Sequence, residues 1–309
     1  MARRKRGREV SGWLILDKAY DFGSTEAVSA SRRLFDAKKA GHAGTLDPLA
    51  TGVLPIAFGE ATKTTPFVQD GEKTYRFSAR WGVATSTDDL EGEETARSEV
   101  RPDAAAIEAR LADFIGDILQ VPPQFSAVKV KGERAYDIAR AGDEVALEPR
   151  PALVHDFRLL ATPDADHAEF EARTGKGVYV RALVRDLARA LGTVAHVSAL
   201  RRTAVGPFTE ENAVSLDELK AAEDFEARDA LLEPLATALV DIPQASVNPG
   251  EAEKLRRGQA VVLPPASAKG VRAGAAGRIE YVAVSSGDVP VAICALDGLA
   301  LKPYRVFNL

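Results

Sequence analysis

Apolar and polar positions outline the elements of this chain before any chemistry is considered. Gly12–Asp17 (GWLILD) is almost wholly apolar and predicts a short buried strand. A helix is expected from about Ser24 to Phe35, with Glu26 in its first turn complementing the dipole. Residues 40–52, rich in Gly, Thr and Pro, read as a loop. Val53–Phe58 is apolar enough for a strand, and Lys73–Trp81 alternates like another. Ile107, Leu111, Phe114 and Ile115 recur at helical spacing. His167–Arg173 alternates again and ends at Gly175-Lys176-Gly177. Val180, Leu183, Val184, Leu187 and Leu191 form a second helical stripe, stopped by Gly192. Strands and helices mix without regular βαβ alternation, which makes the class α+β.

The character changes near residues 240–250, where Ile242-Pro243 and Asn248-Pro249-Gly250 punctuate the chain. A short helix is expected over Glu251–Arg257. Val261–Leu263, Arg278–Ser285, Val289–Leu296 and Ala300–Val306 follow as short apolar segments between turns. That pattern predicts a small β-barrel appended to the main domain. The expected organisation is a basic arm over residues 1–9, a main domain over 10–240 and a small domain over 243–309.

Composition sets limits on this picture. No apolar stretch approaches the roughly 18 residues that span a bilayer, so no membrane role is expected. The N-terminal MARRKRGREV has no apolar run and does not read as a secretory signal. The single Cys294 excludes an internal disulfide framework and fits a reducing cytoplasm. With scattered His42, His155, His167 and His196, it also argues against a structural zinc site.

The formal net charge of −5 conceals an uneven distribution. Arg3, Arg4, Lys5, Arg6 and Arg8 form an arm of the kind that pairs with phosphates. Cations recur at Arg32/Arg33, Lys38/Lys39, Lys129/Lys131, Arg201/Arg202 and Arg256/Arg257, while Asp88, Asp89, Glu91, Glu93 and Glu94 cluster elsewhere. Any one such pair is more simply a solvated surface, and charge alone does not decide the partner.

The loop at 41–55 is the most unusual segment. Gly41, Gly44 and Gly52 supply positions for positive φ or close approach, and Pro48 follows the loop's only carboxylate, Asp47. A lone Asp in a Gly-rich loop beside His42 and Thr45 suits a nucleophile or base on a rigid turn. It equally suits an Asx-turn, and spacing alone favours the turn.

Six blocks change that balance: GWLILDK (12–18), GHAGTLDPLATGVLP (41–55), EKTYRFSARWG (72–82), PPQFSAVKVKGERAYDIARAG (122–142), GKGVYVRALVRDLARALG (175–192) and HVSALRRTAVGPF (196–208). In content and order they resemble the TruB family of tRNA pseudouridine(55) synthases, over most of residues 10–210. The resemblance implies a mixed central sheet flanked by helices, and a looser match makes the C-terminal region a PUA-like RNA-binding barrel.

By the same resemblance, Asp47 acts on the ribose of a T-loop uridine and breaks the C1′–N1 bond, so that the base turns and rejoins through C5. A carboxylate can attack C1′ or remove a proton from C2′. The isomerisation is redox-neutral and needs no cofactor. Tyr75 stacks on the uracil and assists proton removal at C5, and Arg181 pairs with Asp47 and orients it. Tyr179 lines the pocket, Leu200 lies beneath the base, and Lys18 supports the wall. His42 contacts nucleotides extruded from the T loop. The Pro that follows the lysine in the family is Ala19 here, which puts that turn in question. Lys129, Lys131, Arg134, Tyr136 and Arg140 face the RNA. The expected enzyme is a cytoplasmic monomer acting on the T arm of tRNA. Two alternatives stand beside it: a non-catalytic tRNA-binding or tRNA-folding protein, and a nucleosidase, for which no second carboxylate stands at motif-like spacing.

Overall fold

The computed structural model describes residues 7–126, 129–130, 133–134, 147–263 and 278–309. Eight strands build the main sheet: β1 (Gly12–Lys18), β2 (Thr51–Phe58), β3 (Lys73–Trp81), β4 (Gly116–Gln120), β5 (Arg150–Asp164), β6 (His167–Thr174), β7 (Ala195–Val205) and β8 (Val214–Ser215). Their spatial order is β8-β1-β2-β7-β3-β6-β5-β4, with Ala40–His42 added to β2 and Phe208–Thr209 to β7. Pairing is antiparallel except for β1 with β8 and β2 with β7, so the sheet is mixed and the class α+β.

Alternation along β1 explains why it reads as apolar throughout. Trp13 and Ile15 enter one cluster with Phe208 and Leu235, while Leu14 and Leu16 enter another with Phe35 and Phe58. Both faces are covered, so both sets are apolar. Helix α1 (Ser24–Leu34) begins with Glu26 bonded back to the Gly23 amide. Helix α2 is Ala104–Leu111, capped by Asp103. Helix α3 (Val180–Ala190) lays Val180, Leu183, Val184 and Leu187 on Phe77, Trp81 and Phe170.

Several expectations are corrected. Ile115 does not continue the α2 stripe: a 3-10 turn at Ala112–Phe114 ends the helix, and Gly116 at positive φ starts β4, leaving Ile115 exposed. Residues 40–42 pair with β2 rather than looping, and Gly41 takes no positive φ. Alternation in the sequence does not mark β5 or β7. β7 (AHVSALRRTAV) carries cations and a buried His196 in its interior and slips register against β3 at Val197/Ala199, which breaks a clean period.

The C-terminal strands β9 (Gln244–Ser246), β10 (Val261–Val262), β11 (Arg278–Ser286), β12 (Val289–Asp297) and β13 (Ala300–Val306) form a curled half-barrel in the order β9-β11-β12-β13-β10. Helix α4 (Pro249–Arg256) packs on it through Ala252 and Leu255. Ala283, Ile293 and Phe307 join the cluster of Trp13 and Phe208, so this sheet rests directly on the main body.

Residues 1–6 of the basic arm lie outside the described residues. Arg8 is not available to phosphates: its guanidinium pairs with Asp229 and stacks 4.3 Å from the centre of the Phe225 ring.

Candidate active site

Asp47 stands on the connection between Ala40–His42 and β2. Its neighbours are fixed through their backbones. Ser24 Oγ donates to Leu46 O at 2.8 Å and accepts from Leu46 N at 2.9 Å. The Ala50 amide closes a turn onto Asp47 O at 3.1 Å. Lys18, buried at the end of β1, donates to Pro48 O at 2.9 Å, Phe22 O at 2.7 Å and Ala19 O at 2.9 Å. All three ammonium protons are thereby used, and the turn at Ala19 is secured without proline. Burial pushes the Lys18 ammonium down to about 8, against an opposing pull from Asp47.

Arg181, the second residue of α3, reaches back to the loop, and its Nη2 lies 3.0 Å from Asp47 Oδ2. The arginine side chain is only 7% exposed, whereas that of Asp47 is 40% exposed. The guanidinium also donates to Thr87 O at 2.9 Å and Phe125 O at 3.0 Å. Asp89 Oδ2 lies 3.4 Å from its Nη1. The other Asp89 oxygen accepts from the Glu91 amide at 3.0 Å and from Thr87 Oγ1. Arg181 is therefore held rigidly from behind, with one edge presented to Asp47. Its place is prepared by Tyr179 just before α3, whose backbone exchanges two hydrogen bonds with the Gln120 side chain.

A shallow cleft opens over this pair, lined by Asp47, Leu49, Asp89, Arg181, Val197 and Leu200 among others. A second, roomier cleft of about 240 Å³ shares Leu49, Ser198, Ala199 and Leu200 with it and extends past Tyr20, Arg76 and Leu160. Of the expected site residues, Asp47, Arg181 and Leu200 thus share one cavity. Tyr75, Tyr179, Lys18 and His42 are not part of its lining. Tyr179 senses the charges of both Arg181 and Asp47, and burial pushes its hydroxyl pKa up. Tyr75 lies opposite Arg202 in the β3–β7 ladder and interacts electrostatically with that guanidinium. His42 is half-buried, with Nδ1 buried and unpartnered, and desolvation and Arg202 lower its pKa. The side chains of Lys129, Lys131, Arg134, Tyr136 and Arg140 lie outside the described residues.

Sequence reasoning missed two residues. Arg201 and Arg202 read as one cationic cluster, but neighbours on a strand point to opposite faces. Arg201 pairs with Asp17 and Glu210 at the surface, whereas Arg202 is 2% exposed. Asp88 and Asp89 read as acidic surface, yet each takes a different arginine of α3, Arg185 and Arg181. Asp89 is the second carboxylate absent from motif spacing. Its oxygens are already engaged, which ill suits the free acid that a two-carboxylate glycosidase needs. For Arg202 the clue was a like-charged pair inside an apolar stretch; Asp88 and Asp89, within an acidic run, offered none.

Two family models match consecutive stretches of the chain: the TruB family pseudouridylate synthase N-terminal domain over residues 32–180, and the tRNA pseudouridylate synthase B C-terminal domain over residues 181–240. The tRNA pseudouridine synthase B of Caulobacter sp. (strain K31) is 54% identical over 311 residues, covering 100% of both chains. That of Bradyrhizobium diazoefficiens is 51% identical, covering 98% of this chain and 91% of its own. Among solved structures, a Cbf5-Nop10-Gar1 complex superposes with a TM-score of 0.74 at 25% identity, covering 96% of this chain and 85% of that one. An H/ACA RNP bound to a substrate RNA containing 2'-deoxyuridine gives a TM-score of 0.75 at 22% identity over 100% of this chain and 92% of that one, a likeness of fold.

Proposed function

The chain belongs to the TruB family of pseudouridylate synthases and is an isomerase, and from that premise we propose that it converts one uridine in the T loop of tRNA, position 55, to pseudouridine. The C1′–N1 bond breaks, the uracil turns, and a C1′–C5 bond forms. C5 gives up its proton and N1 takes one, so atoms balance with no redox change and no cofactor. The observation that carries this reading is the Asp47–Arg181 pair: a half-exposed carboxylate at the floor of an open cleft, oriented at 3.0 Å by a buried arginine.

In this reading Asp47 attacks C1′ or removes the C2′ proton, and Arg181 fixes its orientation. Leu200 forms the apolar floor under the base. Tyr75 stacks on the uracil and assists departure of the C5 proton, and Tyr179 contacts the bound substrate from beside Arg181. Lys18 holds the turn that carries Asp47. The target must leave the T loop to reach the cleft, and His42 contacts the extruded nucleotides. Lys129, Lys131 and Arg140 meet the phosphate backbone, and the half-barrel over 243–309 is a separate PUA-like RNA-binding domain behind a catalytic domain over 10–240. The enzyme works as a monomer in the cytoplasm. No helix among the described residues is long and apolar enough to cross a membrane.

The test is incubation with an unmodified tRNA transcript, followed by chemical mapping of pseudouridine. One modified T-loop uridine is expected. Release of free uracil would indicate a nucleosidase, and binding without modification would leave a tRNA-binding or tRNA-folding protein.

A further inference from the structure

Arg202 sits inside β7, one of the most deeply buried large side chains in the molecule, at 2% exposure. Among the described residues it makes no salt bridge. Instead its guanidinium divides among backbone carbonyls: Nε donates to Val53 O at 2.8 Å, Nη1 to Thr45 O at 3.3 Å and Nη2 to Gly44 O at 3.1 Å. These acceptors lie on both sides of Asp47, before it in the loop and after it in β2. Tyr75 stands directly opposite Arg202 on β3 and interacts electrostatically with the same group. One planar fork therefore ties the two arms of the carboxylate loop together, directly across from the aromatic residue of another strand.

The backbone around this fork is shaped to admit it. A Cβ on Gly52, at φ +97°, would lie 2.2 Å from Arg202 O, so only glycine lets β2 and β7 meet there. Gly44, at φ +105°, turns its carbonyl onto the guanidinium in a conformation that L side chains rarely adopt. The electrostatic setting is otherwise adverse. Lys18, His42 and Lys73 are all close enough for Arg202 to push their pKa values down, and among the described carboxylates Asp47 offsets it. A buried cation among like charges is costly unless the geometry requires it. Arginine alone spreads several donors along one rigid plane, whereas a lysine, like Lys18, must gather its acceptors around a single nitrogen.

We propose that Arg202 is a positioning residue of the reaction: it fixes the Asp47 loop and the Tyr75 ring in register with each other, and so acts on turnover rather than on RNA binding. The inference rests on the function proposed above, because the reacting pair it aligns is Asp47 with Tyr75. Displacing a reacting group by about 1 Å costs on the order of 100-fold in rate.

The experiment compares wild type, Arg202→Lys and Arg202→Ala on an unmodified tRNA transcript, measuring kcat, tRNA Kd and melting temperature. Both variants should lose roughly 100-fold in kcat while Kd stays within about 3-fold. Methylguanidinium added to Arg202→Ala should restore at least about a tenth of the lost rate by refilling the fork, a rescue that general stabilisation does not give. As a control for stability alone, Leu255→Ala in the half-barrel core should lower melting temperature without changing kcat or responding to the additive. Should the Arg202 variants fail to fold, Gly44→Ala decides: it leaves Arg202 intact, strains the loop side of the same fork, and should show the same loss confined to kcat. Wild-type kcat in the variants that fold, or a loss carried by Kd, overturns the proposal. An inactive wild type would instead overturn the function on which it rests.

Discussion

Around Leu255, Val282, Val291, Leu296 and Leu301 the C-terminal half-barrel is ordered by uncharged side chains packed against one another. Around Asp47 the backbone is ordered by polar side chains: Ser24 on Leu46, Lys18 on Pro48, and Arg202 on Gly44, Thr45 and Val53. The first kind of order is additive and yields gradually when a methyl group is lost. The second points loop carbonyls inward onto buried cations and leaves one carboxylate facing outward to a third, Arg181. A loop built this way sacrifices apolar contact for placement of a single group.

The sharpest way to break the comparison is Asp47→Asn. This change keeps shape and backbone bonds, so tRNA affinity and melting temperature should hold while kcat falls by at least about 10⁴-fold. Loss of binding in parallel would mean that the loop is a docking surface. Arg181→Met comes next. Turnover should fall on the order of 10³-fold, and stability by about 3–5 kcal/mol, because Asp89 loses its partner while 11% exposed. Adding Asp89→Asn should recover part of the stability and none of the rate, as read by urea denaturation beside single-turnover kinetics. If rate returns with stability, Arg181 serves only the scaffold.

In the half-barrel, Leu255→Ala should cost about 2–5 kcal/mol and leave kcat of the folded enzyme unchanged. A kcat loss there would show that the two regions are coupled. The smallest effect concerns pH. The Lys18 ammonium is lowered from 10.5 to about 8, so between those values the unfolded chain binds more protons than the folded one. Stability should therefore rise with pH across that window, and below it the penalty is fully present. Lys18→Met should flatten the rise only in part, because burial also pushes Lys73 down to about 8. An unchanged slope in the urea midpoint would remove Lys18 from the account of the loop.

The same contrast governs how much the sequence discloses. Strands such as Lys73–Trp81 and the α3 stripe follow from period alone, because apolar burial repeats with backbone geometry. Asp47 and Arg181 could be paired only through the collinear blocks, since 134 residues separate them and no local pattern joins them. Arg202 and Asp89 stayed hidden because each stands beside a like-charged neighbour, and a charged pair reads as surface until strand alternation or an arginine from α3 separates its members. Arg8 misled in the opposite sense: counted among free arm cations, it is bound to Asp229 and Phe225.

The central claim, that the outward-facing Asp47 isomerises a uridine without releasing it, is tested most directly with tRNA carrying tritium at uridine C5. Rebonding through C5 must expel that hydrogen. The expected result is tritium release by the wild type in one-to-one proportion to new pseudouridine, with no free uracil, and none by Asp47→Asn at saturating tRNA. Undiminished release by Asp47→Asn, or free uracil without pseudouridine from the wild type, would contradict it.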